Sequence, residues 1–336
     1  MSDTLFIRAD MNSEISTGHV MRCLSVADAA KRMGKKAVFI AADDQPKELI
    51  ESRGHECIVL GTAWNNLESE IPALGKVIGS EKIERLLIDH YSVTEKYLKA
   101  VNELTEVIYL DDLKAFDYPV SGIVCYAVYG EDYYPDKDPE KKYFLGCGYA
   151  PLREAFENPH PKNIKEQPES ILIMTGGSDP FGIAEGVLGA IPLDDYRSVN
   201  VICGRFSGKK EKLEELFGSR DNVHIFPFVE KVWELYDEAD VAISAGGSTL
   251  YELASMGVPT VTYSFADNQI PNVSSFDAKG FMPCAGDVRT DDIYTNIVKI
   301  LGELKPAEKR KDLSGKLMKL VDGKGAERLA AALSDR

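Results

Sequence analysis

Residues 4–32 read TLFIRADMNSEISTGHVMRCLSVADAAKR. An apolar run, Leu5 to Ala9, ends at Asp10, and after a polar turn Val20, Leu24, Ala27 and Ala30 recur at helical spacing. The stretch is therefore a strand, a turn and a helix. It sets Gly18 and His19 at the mouth of that turn, where a parallel α/β sheet presents its ligands.

The same alternation continues downstream. Strand-like runs fall at Ala37 to Ala41, Cys57 to Leu60, Leu86 to Ile88, Val107 to Leu110 and Ile123 to Tyr126, with helix-like spacing between most of them. Repeated β-α units imply a mostly parallel sheet covered on both faces. The pattern breaks at ENPHPKNIKEQPE, Glu157 to Glu169, which is polar and carries three prolines, and restarts at SILIM, Ser170 to Met174. It then runs through VNVIC, VHIF, DVAIS and PTVTY. The expected organisation is α/β: a Rossmann-like domain over 1–157, a linker over 158–169, a second Rossmann-like domain over 170–322 and a helical tail over 323–336.

Composition narrows the ligand. The 336 residues carry 39 basic and 54 acidic side chains, a formal charge of -15 that repels phosphate backbones and anionic lipid. Nucleic acid is thus a poor partner, and an anionic small ligand has to be held by local donors. No apolar run approaches the roughly 20 residues of a membrane span, and the start MSDTLFIRAD lacks a basic region with a cleavage signal, so the expectation is a cytoplasmic chain without membrane insertion. The six cysteines form no C-x-x-C pair and read as a scattered, reduced set.

Two loops of the second half are glycine-rich, MTGGSDP (Met174 to Pro180) and SAGGSTLYE (Ser244 to Glu252). Each follows a strand and leads into a helix. Glycine lets the backbone approach a ligand, and the first-turn amides of a helix offer an anion site without lysine or metal. Gly176, Gly177 and Ser178 in one loop, and Gly246, Gly247, Ser248 and Thr249 in the other, are candidate diphosphate ligands. Glu252, one turn further on, is placed to accept both hydroxyls of a ribose. Diphosphate plus ribose is a nucleotide, although each G-G could also be no more than a tight turn. There is no G-x-x-x-x-G-K-[ST], so this is not a P-loop.

The stretches IRAD (Ile7 to Asp10), TGHVMRCLSVA (Thr17 to Ala27), IDHY (Ile88 to Tyr91), LDDL (Leu110 to Leu113), GYAPLREAF (Gly148 to Phe156), MTGGSD and SAGGSTLYELASMGVP, in this order, resemble the nucleotide-sugar hydrolases of pseudaminic acid biosynthesis. That family removes UDP from UDP-2,4-diacetamido-2,4,6-trideoxy-β-L-altropyranose, and is similar in turn to the transferase that adds N-acetylglucosamine in lipid II synthesis. The resemblance implies the GT-B architecture, two doubly wound domains facing across a cleft, with a UDP-sugar and water as substrates. The helix-terminus anion sites and the lack of a carboxylate or histidine cluster of ligand type give the expectation of no metal, and no other cofactor is expected. The resemblance also implies that His19 is the catalytic base. Two departures stand out: Ser16 replaces the first glycine of the family's G-x-G-H, and IVCYAVYG (Ile123 to Gly130) replaces a strand in which the family often carries asparagines.

The residues support a base at position 19 on their own terms. A histidine at a helix start feels the positive dipole end, which disfavours the imidazolium, and a neutral ring can take a proton from water. The alternative for His19 is a packing role. Asp10 could orient His19, contact the sugar or cap its turn, and Tyr91 could reach the sugar or the water or merely pack. Asp89, Asp111 and Asp112 read as turn-capping carboxylates, and Arg22 as a surface ion pair more readily than a phosphate ligand. Asn268 and Gln269 occupy the loop that faces the donor sugar in the related transferases. The other histidines, His55, His90, His160 and His224, have no metal-ligand spacing. A GT-B glycosyltransferase is the alternative to the hydrolase, and an epimerase or a binding module comes third.

Overall fold

A computed structural model describes residues 4–12, 14–15, 17–204 and 207–334. Ser16, one of the two departures noted above, lies outside them. The chain forms two compact units: residues 1–154 together with 323–336, and residues 155–322.

The first unit is built on a seven-stranded sheet: β1 (Thr4–Ala9), β2 (Lys36–Ala41), β3 (Glu56–Val59), β4 (Arg85–Asp89), β5 (Glu106–Leu110), β6 (Gly122–Cys125) and β7 (Lys142–Leu145). The order is β3-β2-β1-β4-β5-β6-β7 and every pairing is parallel. β1 and β4 are neighbours, with Ala9 opposite Asp89. The connections that leave β1 and β4 therefore depart to opposite sides, and a crevice opens between the two strand ends. Asp10 and the His90–Tyr91 pair flank that crevice.

Arg8 is a charged residue within a mostly apolar strand. Arg8 is fully buried in β1 and forks onto Glu70 of the helix Leu67–Glu81, Nε to Oε1 at 2.8 Å and Nη2 to Oε2 at 2.6 Å. The Tyr97 hydroxyl donates to the same Oε1 at 2.7 Å. A buried charge persists only when paired and hydrogen-bonded in this way.

The second unit carries β8 (Ser170–Met174), β9 (Ser198–Ile202), β10 (Val223–Phe226), β11 (Val241–Ala245), β12 (Thr260–Ser264) and β13 (Cys284–Asp287), in the order β10-β9-β8-β11-β12-β13, again all parallel. Here the switch falls between β8 and β11, with Met174 opposite Ser244. Those are the two strands from which the glycine-rich loops emerge. The core beneath them is aliphatic, with Ile171, Ile173, Val199, Val201, Ile243 and Val261 buried.

Two boundaries differ from the sequence reading. The units divide at Glu154/Ala155, a few residues before the polar stretch, because the 3-10 turn Glu154–Phe156 already sends Phe156 into the second unit, stacked at 5.9 Å on Tyr236. The tail is helical over Gly325–Ser334 and is not a segment apart from the two units. The helix Gly325–Ser334 belongs to the first unit, where its buried Ala326, Leu329, Ala330 and Leu333 pack on the first helix, and Arg85 donates to the carbonyls of Ala332 and Leu333 at its C-terminal end. Among the described residues no helix is long and apolar enough to cross a membrane, and none of the six cysteines forms a disulfide.

Candidate functional site

The first helix spans Gly18–Arg32. His19 and Arg22 stand three residues apart on it and so share one face. That face meets the end of β4, where Asp89 is fully buried. His19 Nδ1 lies 2.6 Å from Asp89 Oδ1. Arg22 forks onto the same carboxylate, Nε to Oδ2 and Nη2 to Oδ1, both at 2.6 Å. Burial alone would raise the Asp89 carboxyl, but the Arg22 guanidinium, and after it His19, outweigh burial and hold it well below the usual carboxylate range.

An ionised carboxylate only accepts. The proton in the 2.6 Å contact therefore belongs to His19 Nδ1, and whenever the ring is uncharged its lone pair lies on Nε2. A histidine so oriented is a proton acceptor with a fixed tautomer.

Arg22 extends the network. Its Nη1 donates to Asp112 Oδ2 and to the Tyr126 hydroxyl, each at 3.0 Å. The Tyr91 hydroxyl donates to the same Asp112 Oδ2 at 2.9 Å, and the Tyr91 ring stands edge-on to His19 with centroids 4.5 Å apart. His19 and Tyr91 are thus brought together at these strand ends. Arg22 departs from the surface-pair reading, since only 12% of its side chain is exposed and it joins Asp89 to Asp112. Asp89 and Asp112 accordingly are not turn caps. Asp111 is one: it accepts from the amides of Leu113 and Lys114 and from the hydroxyls of Tyr118 and Tyr134. Within IVCYAVYG, Tyr126 serves Arg22 and Tyr129 donates to the Asp112 carbonyl.

Asp10 has structural partners. Its Oδ1 accepts from the Ala42 amide at 2.8 Å, which ties the end of β1 to that of β2, and its Oδ2 is 2.7 Å from Arg8 Nη1. The histidine it approaches is His90, whose Nε2 is 3.5 Å from Asp10 Oδ2. His90 Nδ1 accepts from the Ser92 amide at 3.0 Å. Burial foremost, then the charges of Arg8 and His19, push His90 down to about 4, so this ring is neutral at pH 7.

In the second unit the two loops differ. After β8, Gly176, Gly177 and Ser178 are exposed, but the helix that follows, Ile183–Ala190, is capped from within: Asp179 accepts from the amides of Ile183 (2.7 Å) and Ala184 (3.2 Å). The helix terminus that the sequence reading offers to a phosphate is filled by this carboxylate. What the loop keeps for a ligand is its glycine backbone. After β11, Gly246 is walled in, since a Cβ there would stand 2.5 Å from Val273 Cγ1 and 3.1 Å from the Gln269 carbonyl oxygen, whereas a Cβ on Gly247 would meet nothing within 4 Å. Ser248 is exposed and Thr249 half-buried at the start of the helix Thr249–Ser255. Glu252 Oε2 accepts from the Tyr236 hydroxyl at 2.9 Å, which fixes its carboxylate. Of the two candidate sugar ligands, Asn268 is exposed, and Gln269 turns its Oε1 to the Phe265 amide at 3.1 Å. Among the described residues no three His, Cys, Asp or Glu side chains gather as a metal site.

Two Rossmann-like units with these strand orders define the GT-B fold, and solved structures agree. The crystal structure of Acinetobacter baumannii MurG matches with a TM-score of 0.72 over 98% of each chain at 14% identity. The spinosyn rhamnosyltransferase SpnG, solved with thymidine diphosphate, matches with a TM-score of 0.64 over 99% of this chain and 100% of its own at 14% identity.

Sequence relatives are more particular. Residues 171–316 match the glycosyltransferase family 28 C-terminal domain. The spore coat polysaccharide biosynthesis protein SpsG of Bacillus subtilis is 24% identical over 98% of this chain and 97% of its own. The UDP-2,4-diacetamido-2,4,6-trideoxy-beta-L-altropyranose hydrolase of Campylobacter jejuni is 22% identical over 82% of this chain and 97% of its own. An uncharacterized protein of Methanocaldococcus jannaschii is 26% identical over 76% of this chain, a match that spans about half, 54%, of that relative.

Proposed function

We propose that the chain is a hydrolase of a UDP-linked diacetamido-trideoxyhexose, acting in the synthesis of pseudaminic acid or a related surface polysaccharide. The observation that carries this reading is the 2.6 Å contact of His19 Nδ1 with Asp89, which leaves Nε2 as a positioned base. In the reaction Nε2 removes a proton from water, the oxygen attacks the anomeric carbon, and the bond to the β-phosphate oxygen breaks with its electron pair leaving on UDP. The proton returns from His19 to solvent. Tyr91, held against His19 by Asp112, sits where it can orient the water or the sugar; Asp10 supports the strand end behind it.

On this reading the second unit holds UDP. Gly176, Gly177, Ser178, Gly247, Ser248 and Thr249 supply amides and hydroxyls to the diphosphate, Gly246 sets the turn, and Glu252 grips the ribose. Asn268 takes polar groups of the sugar, with Gln269 supporting the loop. The name of the Campylobacter relative supports the substrate class, and that of the Bacillus relative the polysaccharide context. A glycosyltransferase is the second reading, favoured by the family 28 match over 171–316. The two are told apart by following the anomeric proton by NMR with a panel of UDP-sugars, with and without acceptor alcohols. UDP release from the diacetamido sugar in water alone supports the hydrolase, and release that depends on an acceptor supports the transferase.

A further inference from the structure

We infer that Arg22 is the positioning residue of this site, holding His19 and Tyr91 in one register through two carboxylates. The inference rests on the reading of His19 as the base. Its observations are geometric. Four hydrogen bonds leave one guanidinium: two in a fork to Asp89, one to Asp112 and one to the Tyr126 hydroxyl. Asp89 ends β4, Asp112 follows β5 and Tyr126 follows β6, so a single side chain from the first helix spans three adjacent strand ends.

Each carboxylate in turn holds one of the two groups beside the reacting space. Asp89 takes the Nδ1 proton of His19, and Asp112 takes the hydroxyl proton of Tyr91. Rotation of either carboxylate would release its partner; the planar fork blocks rotation of Asp89, and the single Nη1 bond restrains Asp112. Arg22 also sets polarity. Its Nη2 lies 3.3 Å from His19 Nδ1, and its positive charge stands between the two carboxylates and the ring. Lysine cannot replace it, because one ammonium cannot fork onto both oxygens of Asp89 and reach Asp112.

The test uses Arg22→Lys and Arg22→Ala in the full chain, with two readouts. The first is the tautomer of His19, read from nitrogen-15 shifts of the labelled protein, with His19→Asn identifying the signal. Wild type should show the Nδ1–H form alone, both variants a mixture, and added guanidinium ion should restore the single form in Arg22→Ala. The second is hydrolysis of the UDP-sugar: kcat should fall at least about ten-fold in Arg22→Lys with KM little changed, the signature of an interaction made in the transition state. If Arg22→Ala does not fold, Arg22→Lys alone decides. An unchanged tautomer in the folded variants, or unchanged kcat in Arg22→Lys, overturns the inference. A wild-type protein that shows the single tautomer but releases no UDP overturns the hydrolase reading instead and leaves the positioning role standing.

Discussion

Asp89 Oδ1 lies 2.6 Å from His19 Nδ1, at the junction of the fourth strand and the first helix. A contact between residues 70 positions apart thereby fixes which nitrogen of the histidine is basic. Asp89→Asn keeps the shape but allows the amide NH2 to face the ring, which favours the opposite tautomer. Turnover should drop at least about 100-fold, the lower end of what a general base contributes. UDP affinity, measured by calorimetry, should stay within about two-fold of wild type, since the nucleotide is assigned to the other unit.

His90 gives a stability prediction. Its folded value of about 4 is below the ordinary value of about 6.5. Between those two values the unfolded chain binds a proton that the folded chain does not, so stability present above pH 6.5 is lost as the pH falls toward 4. The loss attributable to this 1%-exposed residue is roughly 3 kcal/mol. His90→Gln should be less stable than wild type at pH 7.5, and the gap should narrow by about that amount at pH 4 in urea titrations. A gap independent of pH would show that the ring is free to ionise in the fold.

The paired glycines after the eleventh strand should separate fold from ligand. Gly246→Ala forces a methyl against Val273 and the Gln269 carbonyl and should destabilise by roughly 1–3 kcal/mol. Gly247→Ala enters open space and should leave the melting temperature alone, while a methyl between backbone and diphosphate should weaken UDP binding at least about ten-fold. Equal affinity of Gly247→Ala and wild type would remove this loop from the nucleotide site.

Glu252→Gln keeps the bond from the Tyr236 hydroxyl and removes only the charge. If Glu252 holds the ribose, UDP affinity should fall by about 1–3 kcal/mol with no change in melting. Calorimetry with UDP and with 2′-deoxy-UDP checks it: the loss should be smaller for the deoxynucleotide.

What was legible in the sequence was what neighbouring residues decide. The strand–turn–helix at residues 4–32, the two glycine loops and the α/β class all follow from local spacing, and both loops do emerge at the switch between β8 and β11. Two strands were missed for physical reasons. Lys142–Leu145 is a four-residue edge strand, and Cys284–Asp287 reads CAGD, with too little apolar character to register. The site was half legible. His19 was marked by its place at a helix start, but Asp89 and Arg22 acquire their roles only when strand order sets β4 beside β1. Arg8 lay unnoticed within an apolar run because its partner, Glu70, is 62 residues away. Asp179 could have been found: an aspartate four residues before an apolar helix start is a signal for an internal cap.

On the proposed reading His19 is the base that activates water. His19→Asn retains a polar residue that tolerates a helix start and removes the proton acceptor. The decisive measurement is the single-turnover rate of UDP release from the diacetamido UDP-sugar by wild type and His19→Asn, alongside UDP affinity and melting temperature for each. The rate of the variant should be lower by roughly 10²- to 10⁴-fold with affinity and melting nearly intact. A variant that releases UDP at the wild-type rate, or one that loses UDP binding and folding together, would contradict it.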